Sequence, residues 1–219
     1  MKNTMEKAAF NFAMNVEARY KRGRKPDIIR RLNKEANLAG VRGRLLGFSG
    51  AYPQYYIDTF AQTSNISEMI LVEKEPVLFD IATQELKQKK NSLVNVSLFN
   101  KDIFKLRLKE TGGKVDLIDL DFCIKPSHEL SIEAWKLCNR FMQTDRPVEL
   151  RMTMTMRGPG STREICTRIH KATVSLLTCQ GYELIRERSL TFSSSTNKTK
   201  KGGSPVFVSS TILIKHKLR

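Results

Sequence analysis

Several short stretches of this sequence bring together residue types that could do chemistry. After the apolar run Leu45-Leu46 comes Gly47-Phe48-Ser49-Gly50-Ala51. Small residues at such a place let a ligand approach the backbone closely, and the start of a following helix suits a carboxylate. After Met69-Ile70-Leu71-Val72 comes Glu73-Lys74. A carboxylate at the end of a buried strand can accept hydrogen bonds from both hydroxyls of a ribose. Between Ala51 and Glu73 there is room for one helix and one strand, in keeping with the roughly 20 residues that separate a glycine turn from its ribose acid. Further on, Asp102 can take the amino group of an adenine, with Ile103 against the base. Asp119-Leu120-Asp121-Phe122-Cys123 closes the series. A strand period of two puts Asp119 and Asp121 on one face, Asp121 nearer the ligand edge.

These residues need a frame that gathers them. Apolar runs at Arg44–Gly47, Met69–Val72, Leu93–Leu98, Val115–Leu120 and Val148–Met156 read as strands. Between them, Tyr52–Gln62, Pro76–Lys89, Phe104–Glu110 and Glu129–Gln143 read as helices, with Tyr56, Ile57 and Phe60 on one face of the first. Ser161 with Glu164 forms a capping box, so a helix over about Thr162–Cys179 is predicted. Tyr182–Ser193 and Val206–His216 are strands with no helix between them, joined by the basic loop Ser194–Ser204. Alternating strands and helices imply a parallel sheet covered on both faces, and the final pair implies an antiparallel hairpin. The expected architecture is α/β: a Rossmann-like, seven-stranded, mostly parallel sheet with helices on both faces. In such a sheet, ligands bind beyond the carboxyl ends of the strands, where all the residues above would lie.

Residues 1–40 read as a basic helical N-terminal extension, and residues 41–219 as the main domain. Helices are predicted over Ala8–Tyr20 and from Pro26 to about Leu38, with Gly40 as the stop. Arg19, Lys21, Arg22, Arg24, Lys25, Arg30, Arg31 and Lys34 crowd this segment. Over the whole chain 38 Lys and Arg face 22 Asp and Glu, a net charge of +16, so a polyanion is the first partner to consider. Arg24, Lys25, Arg30 and Arg31, with Lys198, Lys200 and Lys201 of the last loop, are the candidate phosphate contacts.

Cys123, Cys138, Cys166 and Cys179 form no CxxC pair, so no zinc site is expected, and scattered thiols suit a reducing cytosol. No run of about 18 apolar residues marks a membrane helix. Residues 1–12 lack the apolar stretch of a signal peptide. His128, His170 and His216 share no metal-like or triad-like spacing, and His170 is expected to be partly exposed on its helix. Met152, Met154 and Met156 alternate at strand period and read as core, and Trp135 as packing. Phe48, Tyr52, Tyr55 and Phe122 either stack on a base or pack in the core.

Over residues 43–219 the chain resembles class I S-adenosylmethionine (SAM)-dependent methyltransferases. Gly47–Ala51 is similar to the family's glycine-rich motif, Glu73 to its ribose acid, Asp102 to the acid beside the adenine, and Asp121 to the acid that opens the motif after the fourth strand. The resemblance implies SAM as cofactor, bound by Gly47, Phe48, Ser49, Gly50, Ala51, Glu73, Lys74, Asp102, Ile103 and Asp119. It implies Asp121 and Phe122 at the site of methyl transfer. The sequence departs from the family in having no acid before Gly47, and in Ser49 and Ala51 where glycines are usual. Asp121-Phe122-Cys123 also lacks the prolines of amino-directed DNA enzymes and the Pro-Cys of cytosine-directed ones. With the charge, the reading is methyl transfer to a nucleic acid, RNA ahead of DNA. Beside it stand a non-catalytic nucleic-acid-binding protein on the same fold, a methyltransferase for a small molecule or protein, and a nicotinamide-dependent oxidoreductase. Against the last speak the missing GxGxxG and the hairpin ending.

Overall fold

The computed structural model describes residues 25–50, 53–88, 93–122, 127–156, 162–193 and 205–215. The elements run α1 (Lys25–Leu38), β1 (Gly43–Phe48), α2 (Gln54–Thr63), β2 (Ile66–Glu73), α3 (Pro76–Gln88), β3 (Asn95–Asn100), a one-turn 3-10 helix (Ile103–Lys105), β4 (Leu117–Phe122), α4 (His128–Phe141), β5 (Val148–Thr155), α5 (Arg163–Thr178), β6 (Tyr182–Ser193) and β7 (Pro205–Lys215). The strands form a single sheet in the order β3-β2-β1-β4-β5-β7-β6. All are parallel except β7, which lies antiparallel between β5 and β6. The expected Rossmann-like sheet with its hairpin ending is therefore the fold. The predicted helix Ala8–Tyr20, residue Cys123 and the last loop with Lys198, Lys200 and Lys201 lie outside the described residues.

Strand alternation sorts the apolar residues into two cores. Ile70, Val72, Ile118, Leu120, Leu150, Met152 and Met154 meet α4 and α5 on one face. Leu45, Met69, Leu71, Leu117 and Ile212 meet Ile29 and Ala36 of α1 and Tyr56, Ile57 and Phe60 of α2 on the other. Ile29, Leu32, Asn33 and Ala36 share one stripe of α1, the spacing that buries a single helical face. Residues 25–38 thus pack on the sheet. Gly40, at φ +86°, ends this segment in a conformation that favours glycine.

Beneath α1 the sheet buries charge. Arg151, 1% exposed, binds Glu149 through two parallel hydrogen bonds of 2.5 and 2.7 Å. It also donates to Asn33 Oδ1 at 2.7 Å, and Ser210 on β7 donates to Glu149 Oε1 at 2.6 Å. Asn33 further donates to Thr63 Oγ1 at the end of α2. One ion pair so joins α1, β5 and β7, with α2 reached through Asn33.

The structure corrects the sequence reading in several places, and β4 begins at Leu117 instead of Val115. β3 begins at Asn95 instead of Leu93; a displacement of two residues keeps each side chain on its face. The predicted helix Phe104–Glu110 shrinks to one 3-10 turn, because the Asp102 carboxylate captures the Phe104 amide at 3.0 Å. Arg140 then donates to the Phe104 and Leu106 carbonyls, at 3.1 and 2.7 Å, doing what a continuing helix would have done. The cap of α5 is Thr162, whose side chain accepts from the Ile165 amide, so Glu164 falls one place early for a capping box and pairs with Arg168. His170, expected to be partly exposed, is fully buried between α5 and the β6–β7 hairpin. Its Nδ1 lies 2.8 Å from Ser209 Oγ and its Nε2 2.7 Å from Thr211 Oγ1.

Burial, with Lys171 nearby, pushes the His170 pKa from 6.5 down to about 4, although Glu187 lies 3.4 Å from Nε2. The folded chain therefore holds His170 neutral, while the unfolded chain protonates it at its ordinary value. Stability is complete above pH 6.5 and falls as the pH drops from 6.5 towards 4, by up to about 3 kcal/mol. Urea unfolding at pH 7.5 and pH 4.5 measures this loss, and His170→Gln, which keeps hydrogen-bonding groups, should flatten it. A pH dependence as steep in His170→Gln as in the parent would assign the loss to other groups.

Candidate functional site

The sheet opens where its strand order reverses. β1 and β4 pair only through Leu45↔Leu117, Leu46↔Ile118 and Gly47↔Asp119. Beyond that point β1 continues against β2 to Phe48↔Val72, and β4 against β5 to Phe122↔Met154. The two central strands part above Gly47 and Asp119, leaving a crevice at the carboxyl ends. This is where open α/β sheets take their ligands.

At the floor of the crevice, the Tyr56 hydroxyl donates to Asp119 Oδ2 at 2.7 Å. Gly47 is what makes room for this bond. A Cβ there would stand 3.0 Å from the Asp119 carbonyl oxygen and 3.2 Å from the Tyr56 hydroxyl. Gly50 is glycine for the other reason: its φ is +60°, and among the described residues a Cβ on it would meet nothing within 4 Å. Between them the Ser49 amide donates to the Val72 carbonyl, tying the loop to the end of β2. Asp119 is 6% exposed, and burial pushes its carboxyl above the usual value, against the pull of Arg151, Tyr56 and Lys25.

The other predicted residues lie at the carboxyl ends of their strands or in the turns that follow. Glu73 ends β2 beside the glycine loop; its Oε1 accepts from the Glu75 amide at 2.9 Å, and burial raises its pKa. Lys74 is exposed. Asp102 caps the short turn after β3. Ile103, expected against a base, is 1% exposed and belongs to the core beside Val72 and Leu120. Asp121 shares the face of Asp119 and forms an ion pair with Lys25, the first residue of α1. A predicted phosphate contact and a predicted catalytic acid are thus partners.

Phe122 alternates to the opposite face and is buried, edge-on to Phe48 at 5.7 Å and stacked on Phe104 at 6.1 Å. The aromatics considered for base stacking there pack on one another. Arg30 and Arg31 are exposed on α1, Arg30 hydrogen-bonded to Asp27 at 2.7 Å and Arg31 3.7 Å from Glu35. Ala51, Tyr52 and Arg24 lie outside the described residues. The sequence reading missed Tyr56 as a partner of Asp119, and missed Glu149 and Arg151. The available signal was a pair of charges at strand period inside the apolar run Val148–Met156. Among the described residues no helix is long and apolar enough to cross a membrane.

No protein-family model matches this sequence, and no curated protein is similar to it. Solved structures match its fold. TYW2 of M. jannaschii in complex with AdoMet aligns with a TM-score of 0.59 at 15% identity, over 88% of this chain and 75% of that one. A protein of Pyrococcus horikoshii described as an RNA methyltransferase gives 0.54 at 12% identity, over 88% and 84%. Magnesium protoporphyrin IX methyltransferase (ChlM) from Synechocystis PCC 6803 with bound SAH gives 0.53 at 13% identity, over 85% and 82%. The chain has the fold of Rossmann-like, class I SAM-dependent methyltransferases. SAM is the cofactor of this fold, bound as such in the first of these neighbours and as SAH in the third.

The tight seat of Gly47 carries a prediction. Gly47→Ala should force Tyr56 away from Asp119 and destabilise the chain by about 1–3 kcal/mol, as overpacked sites do. Chemical denaturation measures this. Gly50→Ala is strained by its positive φ but meets no neighbour among the described residues, so the two variants separate crowding from backbone strain. A Gly47→Ala variant as stable as the parent would mean that the crevice floor yields freely.

Proposed function

We propose that this chain is a SAM-dependent methyltransferase that binds SAM in the crevice between β1 and β4 and methylates a nucleic acid, RNA ahead of DNA. The observation that carries the reading is the Lys25–Asp121 ion pair, which puts the first residue of a basic helix at the acidic end of the crevice. The residues fit the cofactor: no described residue lies within 4 Å of a Cβ on Gly50, β2 ends in an acid, and another acid follows β3. When bound, SAM supplies an electrophilic methyl group. Gly47–Ala51 would pass its backbone beneath the cofactor, and Glu73 would accept from the ribose hydroxyls. Asp102 would take the adenine amino group. Asp121, a carboxylate beside a cation, would orient the proton-bearing acceptor, and Lys25 would hold that carboxylate in place. The chain's contribution to rate is chiefly alignment of acceptor and methyl group.

Support for a nucleic-acid acceptor is the net charge of +16 together with exposed Arg30 and Arg31 on the helix that reaches the crevice. The Pyrococcus horikoshii neighbour is described as acting on RNA. ChlM is named for a small-molecule acceptor, magnesium protoporphyrin IX, and keeps that class of substrate as the second reading.

Two measurements test the proposal. In a methyl-transfer assay with RNA and DNA, Asp121→Asn should lower turnover on the order of a hundredfold and leave SAM affinity nearly unchanged, because the residue acts on the acceptor. Equal losses in both would move Asp121 to cofactor binding. Affinity for RNA should fall steeply with salt, with a log–log slope near −0.7 per phosphate neutralised on single strands. Arg30→Ala with Arg31→Ala should flatten that slope by about one to two units. Salt-insensitive binding would leave the small-molecule reading standing.

A further inference from the structure

Three guanidinium groups converge on one carboxylate where α1 crosses the outer hairpin. Glu35 of α1 pairs with Arg188 of β6, and around it stand Arg31 of α1 at 3.7 Å and Arg186 of β6 at 3.8 Å. Arg188 neutralises the acid. The other two lie beyond hydrogen-bond distance of it, with side chains 59% and 51% exposed. An arginine four residues before a glutamate is also the weaker order for a helical pair. Lys34, exposed beside Glu35, adds a fourth cation, and Glu183, near the start of β6, a second acid. Four cations thus meet two acids, and the surplus is open to solvent.

A bulge in β6 delivers the two strand arginines. Between Leu184 and Arg186 the strand carries one residue more than its partner, so Ile185 has no opposite residue on β7. Before the extra residue Leu184 pairs with Leu213, which belongs to the core under α4 and α5. After it Arg186 pairs with Ile212 and Arg188 with Ser210, which face α1. Without Ile185, a period of two would turn both arginines to the α5 side and Glu187, now beside His170, to the α1 side.

We propose that Arg31, Arg186 and Arg188 form a phosphate seat for a single-stranded nucleic-acid substrate, with Glu35 holding the place that a phosphate takes. This deepens the nucleic-acid reading above and rests on it. Guanidinium forks match phosphate oxygens, and two loosely held forks beside a third suit a group that offers several oxygens at once. Position links the seat to the crevice. Lys25, at the start of α1, pairs with Asp121, and Glu35 lies further along the same helix. At 1.5 Å per residue the separation is about 15 Å. A stacked strand covers that in about four nucleotides, so the seat takes the backbone a few nucleotides from the acceptor.

The test is fluorescence anisotropy of the full chain with a labelled oligouridylate long enough to span crevice and seat, over a range of salt, beside calorimetric titration with SAM. Arg186→Ala should weaken binding roughly two- to fivefold and flatten the log–log salt slope by about 0.7. Arg186→Lys keeps the charge and should keep the slope. Glu35→Gln removes the resident anion and should tighten binding by roughly the same factor, a gain that a merely structural Glu35 would not give. SAM affinity should not move in any of them. Thermal melting checks each fold, and Arg31→Ala serves if Arg186→Ala does not fold. An unchanged affinity and slope in Arg186→Ala, or an unchanged or weaker affinity in Glu35→Gln, would make the cluster a clamp for α1. Polyglutamate bound as tightly as oligouridylate would make an acidic protein the partner. Each of these overturns the seat, while salt-dependent oligouridylate binding by the parent keeps the wider reading. A parent chain that does not bind oligouridylate overturns the nucleic-acid reading itself, and the seat with it.

Discussion

A guanidinium buried in the middle of a strand organises this molecule. Arg151 cannot shed its proton, so the sheet has to answer its charge in place, and Glu149 does so two residues away on the same strand. The pair is then satisfied from outside the strand, by Asn33 of α1 and Ser210 of β7. A buried ion pair of this kind adds little net stability over an apolar one, but breaking it by removing one partner costs about 3–5 kcal/mol. Its effect here is to fix registers. α1 can dock in one way, with Asn33 over Arg151, and that docking sets Lys25 above Asp121. The mouth of the crevice is thereby determined by a contact at its base.

The floor of the crevice follows the same logic on a smaller scale. Gly47 gives space, Tyr56 fills it with a hydroxyl, and Asp119 receives the proton donor. The glycine loop is therefore shaped by α2 and β4 as much as by its own sequence. This bears on Ser49 and Ala51, where the resembling family usually has more glycines. Ser49 is held by its backbone amide, which donates to the Val72 carbonyl, and by its hydroxyl, which donates to the Gly50 carbonyl at 2.9 Å, an arrangement that does not need a second glycine.

Much of the fold was legible because β1, β2, β4 and β5 are short apolar strands, each followed by a helix of clear period. The hairpin was legible because two strands follow one another with no helix between. What escaped was of two kinds. Glu149 and Arg151 drew no reading, since the strand pattern does not show that two opposite charges two residues apart are buried together on one face. Local competition also decided ends: Thr162 over Ser161 as the cap, and Asp102 over a longer helix. At the candidate site the positions of Asp119, Asp121 and Glu73 came from the pattern of strand ends. Their partners did not, because Tyr56 and Lys25 lie far from them in sequence and meet them only through docking of α1 and α2.

The insertion of β7 between β5 and β6 has a consequence for how the chain comes to be assembled. β5 finds its outer neighbour only in the final strand: Val148 waits for Leu213 and Met152 for Ser209. Until those residues have left the ribosome, β5 presents an open edge, with Glu149 lacking the hydroxyl of Ser210. β6, made earlier, has nowhere to attach, since its partner in the sheet is also β7. Long-range pairings of this sort close late and slowly. The nascent chain can therefore order its first five strands, but the sheet becomes continuous only when the last one arrives. During that interval the exposed β5 edge is the surface most open to unwanted strand pairing.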